Sequence, residues 1–148
     1  MHGIRIGVLG MCLLSSLAYA QSPSADEQAI LQVLEAQVTA WNQGDIRGFM
    51  QGYWQSDSLR FASGDQVHYG WRAVLTRYLR TYNTPQKMGT LSFTELQVQK
   101  LGARSALVFG RWQLQRADDT LQGLFTLIFK KTPEGWRIVH DHTSSSCN

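Results

Sequence analysis

The chemistry this sequence can offer sits near its C-terminus. His140 and His142 flank Asp141 in the run Gly135-Trp136-Arg137-Ile138-Val139-His140-Asp141-His142-Thr143-Ser144. That run reads as a final β-strand, on which side chains two apart share a face. His140 and His142 are therefore expected beside Trp136 and Ile138, with Asp141 on the opposite face. A pocket histidine can act as a general base near neutral pH if a partner orients its second ring nitrogen. Asp141 faces away from both neighbours, so catalysis at His140, His142 or Asp141 needs a partner from another element. The alternative is a polar, hydrogen-bonded end to the last strand. Zinc needs three or four donors. His68 is the only other histidine beyond the N-terminal segment, and no cysteine or carboxylate cluster accompanies it. No metal site is expected.

Arg111 is the second chemical feature. It lies in Ala106-Leu107-Val108-Phe109-Gly110-Arg111-Trp112 and shares a strand face with Leu107 and Phe109. A charge among apolar neighbours is costly unless paired. If that face lines a pocket, the guanidinium can receive a carboxylate or enolate through two parallel hydrogen bonds. The alternative is an ion pair with a buried acid such as Asp141. Trp41, Tyr53, Trp54, Trp71, Tyr78, Tyr82, Trp112, Phe125 and Phe129 supply an aromatic interior. Such a lining suits a flat apolar ligand, and the same residues serve equally as plain core. The candidate ligand contacts are Arg111, Trp41, Tyr53, Trp54, Tyr82 and Phe125. The sequence holds no nucleophile elbow, phosphate-cradling glycine loop or dinucleotide fingerprint, and no cofactor is expected.

These side chains need elements to position them. Ser24 and Glu27 fit a capping box, and Ile30, Leu34, Val38 and Trp41 recur at helical spacing up to Gly44. Asp45 caps a short second helix carrying Ile46, Phe49, Met50 and Tyr53. Leu59–Ala62 and Val67–Tyr69 read as short strands around the turn Ser63-Gly64-Asp65. A third helix is expected over Trp71–Tyr82, stopped before Pro85. From Leu91 the period becomes two, giving strands over Leu91–Lys100, Arg104–Gln115, Leu121–Lys131 and Trp136–Thr143. In the first of these the apolar parity shifts from Leu91 and Phe93 to Leu96 and Val98, which implies a β-bulge near Glu95. Gly110 and Gly123 within strands imply bends or close backbone approach. Helices before an antiparallel meander make an α+β domain. The expected shape is a cone: a curved antiparallel sheet wrapped around about three N-terminal helices.

The rest of the chain sets the context. Arg5, the apolar Ile6–Leu17 and Ala18-Tyr19-Ala20 read as a signal peptide over residues 1–20, cleaved before Gln21. Residues 21–25 are a leader, 26–144 the domain and 145–148 a tail, with Ser144-Ser145-Ser146 expected to be mobile. The protein is thus expected to be exported, periplasmic or secreted, with no membrane span. Cys147 remains as a single thiol after cleavage and cannot form an internal disulfide. Lysine and arginine total 14 against 11 aspartate and glutamate. That small excess lacks the clustering of a nucleic-acid-binding protein, and Lys130-Lys131 reads as the solvated end of a hairpin.

Together these motifs resemble a known family. Ala40-Trp41-Asn42-Gln43-Gly44-Asp45, Gly70-Trp71, Gly110-Arg111-Trp112, Gly123-Leu124-Phe125-Thr126 and the final strand, in this order, look like a nuclear-transport-factor-2-like domain of the SnoaL-like kind over about residues 26–144. The pattern is also similar to the calcium/calmodulin-dependent protein kinase association domain, where an arginine matching Arg111 lies in a pocket. The resemblance implies a pocket in the cone and a homodimer formed through the sheet. Steroid isomerase and dehydratase members of the family use a tyrosine in the first helix, or an aspartate–histidine pair. The first helix here has no tyrosine. Family functions range from isomerases, cyclases and hydrolases to binding modules and oligomerisation hubs, so fold alone does not choose among them. The expected function is an exported small-molecule-binding protein with an aromatic pocket that takes a small apolar or anionic ligand. The alternatives are a cofactor-free isomerase, cyclase or hydrolase-like enzyme using a pocket histidine and arginine, and an oligomerisation scaffold.

Overall fold

The computed structural model describes residues 22–146. The expected signal peptide and Cys147 lie outside the described residues. Helix α1 spans Ala25–Asn42 and opens with a complete capping box between Ser24 and Glu27. Its buried face, Ile30, Leu34, Gln37 and Trp41, packs on the sheet. Gly44 ends the turn at φ 77°, a left-handed conformation that suits glycine. Asp45 then caps α2, Ile46–Met50, by accepting from the Gly48 amide at 2.8 Å.

The remaining elements are β1 (Arg60–Ser63), β2 (Gln66–Tyr69), α3 (Trp71–Thr81), α4 (Pro85–Met88), β3 (Thr90–Gly102), β4 (Ser105–Gln115), β5 (Thr120–Thr132) and β6 (Gly135–Thr143). Apart from α4, which the sequence pattern does not predict, their bounds match the sequence expectations to within a residue or two. Pro85 does more than stop α3. It starts the short helix α4 behind the Thr84 cap, where a missing N–H costs nothing. The six strands form one curved, open sheet in the order β2-β1-β6-β5-β4-β3. β3 to β6 are the expected antiparallel meander. β1 adds to β6 in parallel and sets Phe61 beside Asp141.

Three register shifts interrupt the sheet; one, at Leu101, lies beside the β3–β4 turn, and the other two shape the sheet further in. In β3 the register slips between Thr94 and Gln97, and Glu95 takes φ 55°. This is the bulge that the parity shift implies. A second slip lies in β6. Phe129 pairs with Ile138, but Ile128 pairs with His140, so Val139 is an extra residue. One inserted residue moves every later side chain to the other face.

Candidate active site

The bulge at Val139 decides the site. Trp136, Ile138 and Asp141 all face the interior, and all three are buried. His140 and His142 face outward. His140 Nδ1 accepts from Arg60 Nε at 2.9 Å, and burial with Arg60 nearby lowers the His140 pKa. His142 is exposed. The expected facing of the two histidines and the aspartate is therefore reversed, because strict alternation fails at the bulge.

Arg111 also lies outside. Ala106, Val108, Gly110 and Leu114 are the buried residues of β4, so strand alternation puts Leu107, Phe109 and Arg111 on the outer face. Arg111 donates to Glu95 at the β3 bulge, N···O 3.2 Å, and both side chains are solvent-accessible. Neither the pocket role nor the pairing with Asp141 fits that position. Trp54 does not line the cavity either. Its backbone amide bonds to the Ile138 carbonyl instead. Trp41, Tyr53, Tyr82 and Phe125 do line it.

The cavity lies between the helices and the concave face of the sheet, with a volume near 190 Å³. A dry apolar cavity of about 150 Å³ is enough to hold benzene. Its aromatic walls come from α1 (Trp41), α2 (Phe49), the segment after α2 (Tyr53), β1 (Phe61), α3 (Tyr78) and the end of α3 (Tyr82). The sheet adds Phe93, Trp112 and Phe125. Phe49 meets Trp41 and Tyr78 edge to face, each with ring centres 5.1 Å apart. The polar end of Gln37 is satisfied by the Phe49 carbonyl at 3.1 Å.

Asp141 is the buried acid of this cavity. It is 5% exposed. Its Oδ2 accepts from the Tyr53 hydroxyl at 2.7 Å, and the Tyr78 hydroxyl lies 3.4 Å from that of Tyr53. Its Oδ1 has no hydrogen-bond partner. Tyr53 is held there by backbone pairing. Trp54 N–H donates to the Ile138 carbonyl, and Ile138 N–H donates to that of Gly52, each at 2.9 Å. Burial raises the Asp141 pKa to about 7, against the opposing pull of the Tyr53 hydrogen bond and the Arg77 charge. The Tyr53 and Tyr78 hydroxyls are raised too, chiefly by burial and by the neighbouring Asp141. Both phenols remain protonated donors at neutral pH. A carboxyl poised near neutrality in an apolar cavity, with one oxygen unpaired, can donate or accept a proton.

The C-terminal residues complete the rim. Ser144-Ser145-Ser146 is not a loose tail. Ser144 O accepts from Trp112 Nε1 at 3.0 Å, Ser146 N–H donates to the Gln122 carbonyl at 2.9 Å, and Ser145 and Ser146 line the cavity. Gly123 permits this crossing. A Cβ there would lie 1.9 Å from Ser144 O. At the other end of the sheet, Lys130 and Lys131 are exposed beside the β5–β6 turn, as expected, and Lys131 also has a partner. It pairs with Asp26 at 3.0 Å, and Asp26 also accepts from Trp136 Nε1.

Sequence reasoning misses two features of the site, and only one of them leaves a trace in the sequence. The doublet Ile138-Val139 is two adjacent apolar residues in an otherwise alternating strand, which is the trace of the bulge. Arg77 has no such trace. Helix α3 buries Val74, Leu75 and Tyr78 and leaves Arg77 half-buried at the edge of that face.

A curved sheet enclosing helices, with an aromatic cavity and a buried acid, defines a cone-shaped pocket domain. The chain belongs to the SnoaL-like domain family, whose model matches residues 30–147. Among solved structures it is similar to a nuclear transport factor 2-like protein of unknown function from Shewanella oneidensis. The two are 39% identical, over 79% of this chain and 97% of that one, with a TM-score of 0.76. A domain of unknown function with a cystatin-like fold from Nostoc punctiforme matches at 21% identity over 86% and 81% of the two chains, TM-score 0.70. A protein from Xanthomonas campestris described as a calcium/calmodulin dependent protein kinase II association domain matches at 12% identity over 83% and 89%, TM-score 0.64. No curated protein matches the sequence.

Proposed function

We propose that this protein binds a small, flat, largely apolar molecule in the cavity and exchanges a proton with it through Asp141. The observation that carries this reading is the unpartnered Asp141 Oδ1 in an aromatic cavity. A buried acceptor without a partner costs about 1–3 kcal/mol, and a ligand donor would recover that cost. The reaction class is proton abstraction and return, as in an isomerase or cyclase, with side-chain chemistry only. Tyr53 holds the carboxyl by one oxygen and leaves the other for the ligand. His140 and His142 take no part, since they stand on the outer face.

The test is two-dimensional NMR with a panel of small aromatic fragments. Binders are expected to shift the indole N–H of Trp41 and the carboxyl carbon of Asp141. Asp141→Asn is expected to weaken fragments that carry a hydrogen-bond donor more than those that do not. Shifts confined to outer-face residues would end the pocket reading.

Export and dimerisation belong to the same proposal. The intact mass of the cell-exported protein is expected to correspond to a chain beginning at Gln21. The outer sheet face presents Leu107 opposite Ile128, with Phe109 opposite Thr126 and Leu124 opposite Arg111, and Leu124 is 38% exposed. A second copy covering this face would bury them. Sedimentation is expected to show a dimer, and Leu124→Lys a monomer.

A further inference from the structure

Arg77 stands apart from the other cations of this protein. It lines the aromatic cavity and also an outer groove between β2 and α3, so it forms part of the wall between them. Its guanidinium carbon lies 4.6 Å from the centre of the Phe61 ring and 5.6 Å from that of Tyr78. Among the described residues it makes no side-chain hydrogen bond and no ion pair. A guanidinium stacked on a ring keeps its N–H donors in plane and available. Carboxylates and related oxyanions fit that fork.

The surroundings favour the same sign of ligand. The outer groove holds Arg72, Arg77 and Arg80 with His68, and no acidic side chain lines it. Such a groove concentrates anions around Arg77 by attraction alone. Inside, Asp141 is the acidic residue of the cavity wall. While Asp141 keeps its proton, Arg77 sets the charge of the pocket.

We infer that Arg77 is the anion receptor of the cavity, and that the molecule bound there is a small flat oxyanion, a carboxylate or an enolate. Its charged group meets the Arg77 guanidinium while its plane lies among Trp41, Phe61, Tyr78 and Phe125. This assignment rests on the pocket reading above and narrows it to a ligand class. It also moves to helix α3 the anion-binding chemistry that the sequence suggests for Arg111.

Calorimetric titration with benzoate and benzamide tests it. The two probes have the same shape, and only benzoate is charged. Near pH 6, wild-type protein is expected to bind benzoate at least about tenfold more tightly than benzamide. Arg77→Gln is expected to remove that preference while benzamide still binds. Arg77→Lys, which keeps the charge and loses the fork, is expected to retain part of it. Circular dichroism checks that both variants fold. If wild-type protein binds benzamide as tightly as benzoate, or if folded Arg77→Gln keeps the preference, the anion receptor is wrong and the pocket stands. If neither probe binds, the pocket reading fails and takes this inference with it.

Discussion

Asp141→Asn is the most informative single change, because it isolates the cost of burying a carboxylate. In the unfolded chain Asp141 loses its proton near 3.8, and in the folded chain it keeps it to about 7. Between those values the folded state holds a proton that the unfolded state has released. Stability therefore falls as pH rises through this window and levels off above 7. One pKa unit corresponds to about 1.36 kcal/mol, so the full ionisation penalty is about 4 kcal/mol. Roughly 2.5 kcal/mol of it develops between pH 5 and pH 8. Asparagine keeps an oxygen for the Tyr53 hydroxyl and has no such titration. The Tyr53 and Tyr78 hydroxyls beside Asp141 are raised by burial and by Asp141 itself, so they stay protonated over this range. His140 titrates in both proteins and cancels in the difference. Urea unfolding at several pH values from 5 to 8 is the assay. The wild-type stability is expected to drop by roughly 2.5 kcal/mol relative to Asp141→Asn over that span. Parallel pH profiles for the two proteins would refute the buried, proton-holding carboxyl, and with it the acid–base reading.

Tyr53→Phe removes the one hydrogen bond that Asp141 accepts. It is expected to push the carboxyl pKa further up, read by carbon NMR titration, and to cost about 1–3 kcal/mol of stability. Gly123→Ala would place a methyl group against Ser144 O. The expected result is displacement of the 144–146 segment and a loss of about 1–3 kcal/mol in thermal unfolding, as for other overpacked sites. Arg111→Ala breaks only a solvent-accessible pair with Glu95. It is expected to change stability by less than about 1 kcal/mol and to leave fragment binding in the cavity unaltered, as read by the same NMR titration.

Local rules were enough for every element of this protein except the short helix α4, where Pro85 reads in the sequence only as a stop. Ser24 and Glu27 satisfy each other's backbone amides at that spacing, and Gly44 marks a helix end by its own backbone freedom. The parity shift around Glu95 was legible for the same reason, since a strand buried on one face cannot change parity without an extra residue. Trp41, Tyr53, Tyr82 and Phe125 could be named as an aromatic lining from their spacing on helices and strands.

Facing was another matter. In β4 both parities are apolar, so Arg111 had no local reason to point either way. It points out because Gly110 is needed inside, where Phe125 and Leu96 would crowd any Cβ. In β6 the doublet Ile138-Val139 hinted at a bulge, but its place was set by two distant segments. The strand pairs with Ile128 and Phe129 on one side, and with the backbone around Tyr53 on the other. That double pairing turns Asp141 inward and both histidines outward. The sequence by itself determined which elements form, because helix caps, turns and periodicity act over a few residues. Only the tertiary structure decided which acid and which arginine share the cavity, because one inserted residue exchanges the two faces of a strand, and its position depends on partners far away in the chain.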